Sequence, residues 1–341
     1  MFRLSKKRVI GLLAVVLIVY FLGVYQLPYY IQKPGGADPL DPIVEVEDGY
    51  LSEGDMHLVT VSGMQATPVL YAAALLLPHH DILPLDQVFP EGMTQEDYMA
   101  AQLQVMESSQ EAATVVAYEA ADKDIDISYN GVYVVAAVEG LPAEGKLESG
   151  DRIIGIDDTE VHESQDLINY IDGKEAGDTV TVMYERDDEE HTADMALEPL
   201  DDEGSRIGIG INLVTDREVT VNPKIHFSSG SIGGPSAGLM FSLEIYDQLV
   251  EEDLTDGKQI GGTGEIDYDG NVGRIGGIDK KVVASDKEGV DIFFAPNEGG
   301  REGSNYQVAA ETAESIGTDM KIVPVDTFED AVEYLESITD E

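Results

Sequence analysis

The chain opens on a stretch in which polar and apolar positions do not alternate. Val9 to Gln32 contains no charged side chain, and Val9 to Leu27 is almost entirely apolar, matching the roughly 20 residues a helix needs to cross a bilayer. The pattern predicts a transmembrane anchor over residues 9–30. Arg3, Lys6, Lys7 and Arg8 stand before it in a basic tail, residues 1–8. Such a tail stays cytoplasmic, and Tyr20, Tyr25, Tyr29 and Tyr30 suit the aromatic belt at the far interface. A cleaved signal peptide fits less well, because its apolar core runs only about 7 to 15 residues and is followed by a small-x-small site. The expected location is the cell membrane, single-pass, with the rest of the chain outside.

Pro34-Gly-Gly-Ala-Asp-Pro39-Leu-Asp-Pro42 reads as an extended stalk over residues 31–43, since its prolines fix φ and its glycines oppose regular structure. A folded segment follows over residues 44–122. Val44–Val46 and Met56–Val61 have strand character there, and Thr67–Leu77 starts a helix that stops at Pro78. Thr94–Ala121 is a long helical pattern with Ala112, Val115, Val116 and Ala120 on one stripe, which should pack on a sheet.

From 123 to 200 short strands alternate with one helix: Gly131–Ala136, Asp151–Ile156, the helix Ser164–Ile171, Thr179–Tyr184 and Thr192–Leu197. From 204 to 341 strands and helices alternate in a mixed α/β pattern. It includes a helix from Pro235 to Leu249, a strand near Ile260 and a helix from Asp279.

Charge then narrows the partners. There are 67 acidic and 20 basic residues, a formal net charge of -47. Four basic residues lie in the first eight, so the remainder carries 16 minus 67, or -51. Such a field repels phosphate backbones and excludes nucleic acid as a partner. The carboxylates are scattered, with no Asp-x-Asp-x-Asp-Gly calcium loop, and read as a solvated acidic face suited to a salt-rich medium. The absence of cysteine removes disulfides, thiolate catalysis and zinc ribbons. No metal or cofactor is expected.

Candidate chemistry centres on Ser236 in Gly233-Gly-Pro-Ser-Ala-Gly238, just before the apolar helical run that starts at Leu239. The first N–H groups of a helix lack internal partners and carry the positive end of the dipole. The amides of Gly234 and Ala237 are therefore candidates to hold an oxyanion. Gly-x-Ser-x-Gly is also the α/β-hydrolase elbow, which requires a later histidine, and none follows His226. A Ser-His arrangement would need the histidine before the serine. A lysine buried against apolar walls can serve as base instead. Gly276-Gly-Ile-Asp-Lys-Lys-Val-Val-Ala-Ser285 offers two. Helical phase puts Lys281 beside Ile278, Val282 and Ser285 and points Lys280 nearly opposite Ile278, toward solvent.

These motifs resemble the Lon protease family, whose proteolytic domain carries a Ser-Lys dyad in Gly-Pro-Ser-Ala-Gly and Gly-Gly-x-x-x-Lys elements. Ser236 and Lys281 fall on those positions, and Thr263 in Thr263-Gly-Glu265 corresponds to the hydroxyl that supports the lysine. Each residue alone would also suit a bland role, a helix-capping serine or a lysine reaching solvent. Their order with Thr263 favours catalysis.

Tyr129-Asn-Gly-Val-Tyr-Val134 and Gly150-Asp-Arg-Ile-Ile-Gly-Ile156 resemble the carboxylate-binding loop and strands of a PDZ domain. That resemblance implies peptide capture by strand addition, with Asn130, Gly131, Val132 and Tyr133 as binding loop.

The whole arrangement is similar to the PDZ-containing Lon-like endopeptidases of Gram-positive bacteria, which lack an ATPase. It implies an α+β, mixed α/β Lon-type proteolytic domain with an inserted PDZ domain and one N-terminal transmembrane helix. The implied function is an ATP-independent serine endopeptidase acting on extracytoplasmic peptides or proteins. Gly140 to Leu147 nearly spells a phosphate loop, but Leu147 stands where a Ser or Thr should ligate magnesium. The partners implied are peptide or protein substrates and the lipid bilayer, with oligomerisation left open. The alternative is a cell-surface PDZ scaffold or chaperone without proteolysis.

Overall fold

A computed structural model describes residues 6–89, 95–187, 189–201 and 206–339. Arg3, Thr94 and Gly204 lie outside the described residues, as do the side chains of Arg8 and Val9. The described chain divides into two compact units. One comprises the residues up to Asp124 and from Val221 on, and the other is Ile125–Thr220.

The N-terminal helix spans Lys6–Val24 and is shorter than the span expected over residues 9–30. Its uncharged stretch, Val9 to Val24, offers 16 residues, about 24 Å at a rise of ~1.5 Å each, against a hydrocarbon core of roughly 30 Å. Among the described residues no helix is long and apolar enough to cross a membrane. The helix ends because the chain is captured by the folded body. Leu27 N–H donates to Ala66 O at 2.7 Å and Ala66 N–H to Tyr29 O at 2.8 Å, while Pro28 disfavours a helical Leu27. Tyr29 and Tyr30, expected in the aromatic belt, begin a strand instead.

That strand, Tyr29–Pro39, replaces the expected stalk. It pairs antiparallel with Asp55–Gln65, and the register shifts between Pro34 and Ala37. The Pro-Gly-Gly run that suggested a stalk is thus a bulge, where a sheet tolerates Pro and Gly. A Cβ on Gly35 would lie 2.5 Å from Thr60 O, so only glycine permits this approach.

The main sheet runs Lys321–Val325, Ile292–Pro296, Gln259–Gly262, Asp55–Gln65, Tyr29–Pro39, Asp81–Pro84. Its first four strands are parallel and the last two are added antiparallel. The parallel strand Ile292–Pro296 is buried throughout, as expected where both sheet faces are covered. The helices Ile278–Glu288 and Asn305–Ile316 pack through Ile278, Val282, Ala309 and Ala313 onto Val59 and Phe293. The Gly238–Leu249 helix is almost wholly buried and packs beside Gln95–Ala120. Residues before and after the intervening unit therefore share one core.

The second unit holds strands in the order Ile211–Asn222, Asp124–Ala137, Arg152–Ile156, Thr179–Arg186, Glu189–Ala196 and, among the described residues, one helix, Ser164–Asp172. Its core is built from Val132, Val134, Ile153, Ile156, Leu167 and Val182. The expected binding loop differs from the structure. Asn130 to Tyr133 lie within the continuous strand Asp124–Ala137, with Gly131 at φ 123°. Gly131 N–H donates to His162 O at 3.1 Å, and the Val132 side chain is buried. Neither is free for a peptide, whereas Asn130 and Tyr133 are exposed.

Candidate active site

Ser236 occupies the turn immediately before the Gly238–Leu249 helix. Close packing puts it there: a Cβ on Gly238 would lie 2.6 Å from Ile266 Cγ2 and 2.8 Å from Ser109 Oγ. Leu239 N–H donates to Gly264 O and Gly264 N–H to Ser236 O, both at 3.1 Å. The turn is thereby tied to the Thr263-Gly264-Glu265 segment that leaves the Gln259–Gly262 strand.

Lys281 comes from the first turn of the Ile278–Glu288 helix, which starts after Gly277 at φ 69°, a left-handed conformation that glycine accepts without strain. Its Nζ lies 2.8 Å from Ser236 Oγ and 2.8 Å from Thr263 Oγ1. The side chain is 3 % exposed, and burial brings its pKa down to about 7. Desolvation disfavours the ammonium form, so a large fraction of free amine exists near neutrality.

Thr263 decides how that amine is oriented. Its hydroxyl donates to Ser236 O at 2.7 Å, which spends its one hydrogen. Its oxygen can then only accept from Lys281 Nζ. With one N–H held by Thr263, the amine can turn its lone pair to the Ser236 hydroxyl.

Gly234 does not play the expected part. Its N–H donates to Gln102 O at 2.9 Å, so it is committed to shaping the loop. Among the described residues, the amides of Ser236 and Ala237 donate to no backbone carbonyl. They stand at the start of the helix, where the dipole favours an anion.

The dyad opens into a cleft of about 560 Å³. Tyr30, Tyr98, Met99, Met106 and Glu265 contribute to its walls, and no histidine does, which disposes of a Ser-His arrangement. His226 instead pairs with Glu45 in a short sheet. Burial raises the Glu265 carboxyl above its usual range, and burial followed by the neighbouring Tyr98 raises the Tyr30 phenol. Sequence reasoning missed Tyr30, Tyr98 and Gln102, because their strand and helix reach the cleft only through the sheet and carry no motif.

Lys280 also differs from expectation. It is buried at 1 % exposure, with Nζ 2.5 Å from Asp81 Oδ2 and 3.1 Å from Asp279 Oδ1. Asp81 belongs to the edge strand Asp81–Pro84, which covers the helix face that phase alone assigns to solvent.

Residues 191–336 match the Lon protease (S16) C-terminal proteolytic domain. They belong to that family. Residues 102–197 match the PDZ domain family, and the chain thus carries both a Lon-type proteolytic domain and a PDZ domain. It is 32% identical over 145 residues to the Lon protease of Campylobacter jejuni, covering 40% of this chain and 17% of the relative. To the Lon protease of Mycoplasma mobile it is 38% identical over 94 residues, 27% of this chain and 11% of the relative. The chain therefore spans less than a fifth of these relatives' length. The PDZ domain of the SdrC-like protein from Listeria monocytogenes is 40% identical, over 26% of this chain and 93% of that one, with a TM-score of 0.25.

Proposed function

We propose that this chain is an ATP-independent, membrane-anchored serine endopeptidase that cleaves extracytoplasmic peptides or proteins. The observation that carries the reading is the 2.8 Å contact between Lys281 Nζ and Ser236 Oγ, made by a lysine whose pKa burial lowers to about 7. Lys281 takes the serine proton as Oγ attacks the scissile carbonyl carbon. The resulting oxyanion lies at the Ser236 and Ala237 amides, where donors are already oriented for it. The lysine then returns the proton to the leaving amine, leaving an acyl-enzyme. Water, deprotonated by the same amine, releases the second product and frees Ser236. The PDZ unit recognises substrate or regulates access to it.

The anchor in this reading is the Lys6–Val24 helix, whose apolar stretch is shorter than the hydrocarbon core and which a bilayer accommodates by local thinning. Its apolar side chains stand exposed, among them Ile10 at 65%, Leu17 at 66% and Val19 at 63%, an arrangement suited to lipid. Membranes of producing cells, washed with alkaline carbonate, should retain the chain, and protease added to intact cells should reach its folded part.

The test of the chemistry is digestion of an unfolded protein by the full chain in detergent, with products read by mass spectrometry. Cleavage should need Ser236 and Lys281 and should proceed without nucleotide. Equal cleavage by Ser236→Ala would overturn the serine mechanism, and dependence on ATP would overturn the nucleotide-free one.

A further inference from the structure

We infer that Val69–Leu77 is a second lipid-contacting element, which seats the proteolytic unit on the bilayer beside the N-terminal helix; this rests on the anchoring proposed above. The short helix Pro68–Ala74 and the turn after it invert the usual surface pattern. Ala66 and Ala74 are buried, with Tyr71 packed against them, beside Ile31. The large side chains point outward: Val69 is 51% exposed, Leu75 66%, Leu76 85% and Leu77 49%. A helix at a water-facing surface buries its leucines and exposes its small or polar residues. Single exposed leucines are ordinary, but a contiguous group of them marks a contact surface.

Charge isolates the same segment. From Met56 to His80 there is no Asp, Glu, Lys or Arg, in a chain of net charge -47. A neutral window in so acidic a chain removes the desolvation cost that carboxylates would impose at a lipid surface. It does not favour a second copy as occupant, because two chains with this net charge repel each other.

The patch also continues the N-terminal helix. Val19, Leu22 and Gly23 of that helix share a cleft of about 430 Å³ with Thr67, Val69 and Leu70. The position is held firmly. Gln65 Nε2 donates to Leu27 O at 3.0 Å and Thr67 Oγ1 accepts from Leu70 N at 3.4 Å. At the far end of the segment His79 Nδ1 lies 3.5 Å from Asp279, and Asp81 pairs with Lys280. The segment that meets lipid is thus fastened to the helix that carries Lys281, so its seating fixes the height of the dyad above the membrane.

The chain has no cysteine, which permits single-site labelling of the whole chain. Leu76→Cys, Leu17→Cys and Glu251→Cys variants, each carrying an environment-sensitive fluorophore, would be reconstituted into phosphatidylcholine vesicles containing a shallow doxyl-lipid quencher. Leu17 tests the anchor, and the exposed Glu251 is the aqueous reference. Quenching at Leu76 severalfold above that at Glu251, together with quenching at Leu17, supports the inference. Quenching at Leu17 with Leu76 no different from Glu251 overturns it and leaves the anchor standing. Absence of quenching at both Leu17 and Leu76 overturns the anchor and the inference together. Oxidative cross-linking of unlabelled Leu76→Cys chains, with no quenching at Leu76, assigns the patch to a second copy and also overturns it.

Discussion

The Thr263 hydroxyl donates to the carbonyl oxygen of Ser236, the proposed nucleophile, at 2.7 Å. One side chain therefore holds the serine's turn in place and leaves only an acceptor for Lys281. Thr263→Val keeps the shape and removes both bonds. It should lower kcat by about 10- to 100-fold with little change in KM, a share of the roughly 10²–10⁴ typical of a positioned acid or base. Thr263→Ser should recover most of the loss. Steady-state kinetics on one peptide would check this, and a Val variant as fast as the parent would refute the orienting role.

The activity should follow the free amine. With Lys281 near 7, kcat/KM should rise with pH through about 7 and level off above about 8, as the fraction of free base saturates. Activity unchanged between pH 6 and 8 would contradict a lysine base of this acidity.

The same shift makes a stability prediction. Folding lowers the Lys281 value from 10.5 to about 7, so the unfolded chain binds the proton more tightly. This group's penalty is full below about 7, and stability recovers as pH rises toward 10.5, by about 1.4 kcal/mol per pH unit. Lys281→Met lacks the penalty. Its stability advantage over the parent, measured by urea denaturation, should be largest at or below neutral pH and shrink as pH approaches 10.5.

Lys280→Ala should be harmful although Lys280 is not the proposed base. The substitution leaves Asp81 and Asp279, 54% and 30% exposed, without their shared cation. Because those carboxylates reach solvent, the expected loss is about 1–2 kcal/mol rather than the roughly 3–5 of a fully buried pair. Activity should fall as the helix bearing Lys281 loses its tie to the edge strand. Lys280→Arg should retain more of both. Thermal unfolding and peptide cleavage measured side by side would decide, with an unaffected Ala variant refuting the tie.

Salt should stabilise the folded chain. A net charge of -47 repels itself, and screening weakens that repulsion as the Debye length falls from about 10 Å at 0.1 M to about 3 Å at 1 M. The melting temperature should rise by several degrees between those concentrations of a neutral salt such as sodium chloride. A flat response in calorimetry would count against it.

Much of the fold was legible because its signals are local. Gly233 to Gly238 announces a tight turn into an apolar helix, and the alternation from Arg152 to Ala196 announces short strands. Tyr29–Pro39 was not legible as a strand. Its prolines and glycines argue locally for a stalk, and its partners, Asp55–Gln65 and Asp81–Pro84, lie tens of residues away in sequence. Lys280 departs from its helical phase for a related reason. Helical phase describes one helix on its own, while burial is set by whatever packs against it, here Asp81 from a distant edge strand.

The chain's own residues determined the chemistry in outline: a serine at a helix start, a threonine and a lysine in order, and no histidine downstream of Ser236 to compete as base. These depend on residue type and on backbone freedom at glycine and proline, which sequence displays directly. Helical phase and motif already favoured Lys281 over its neighbour; only the tertiary structure decided that its amine lies 2.8 Å from Ser236 Oγ, that Thr263 is committed to Ser236 O, and that Gly234 is unavailable to an oxyanion. Those facts depend on distances and desolvation, and both arise when the strands Tyr29–Pro39, Asp55–Gln65 and Gln259–Gly262, far apart in the chain, close around the helix that carries the lysine.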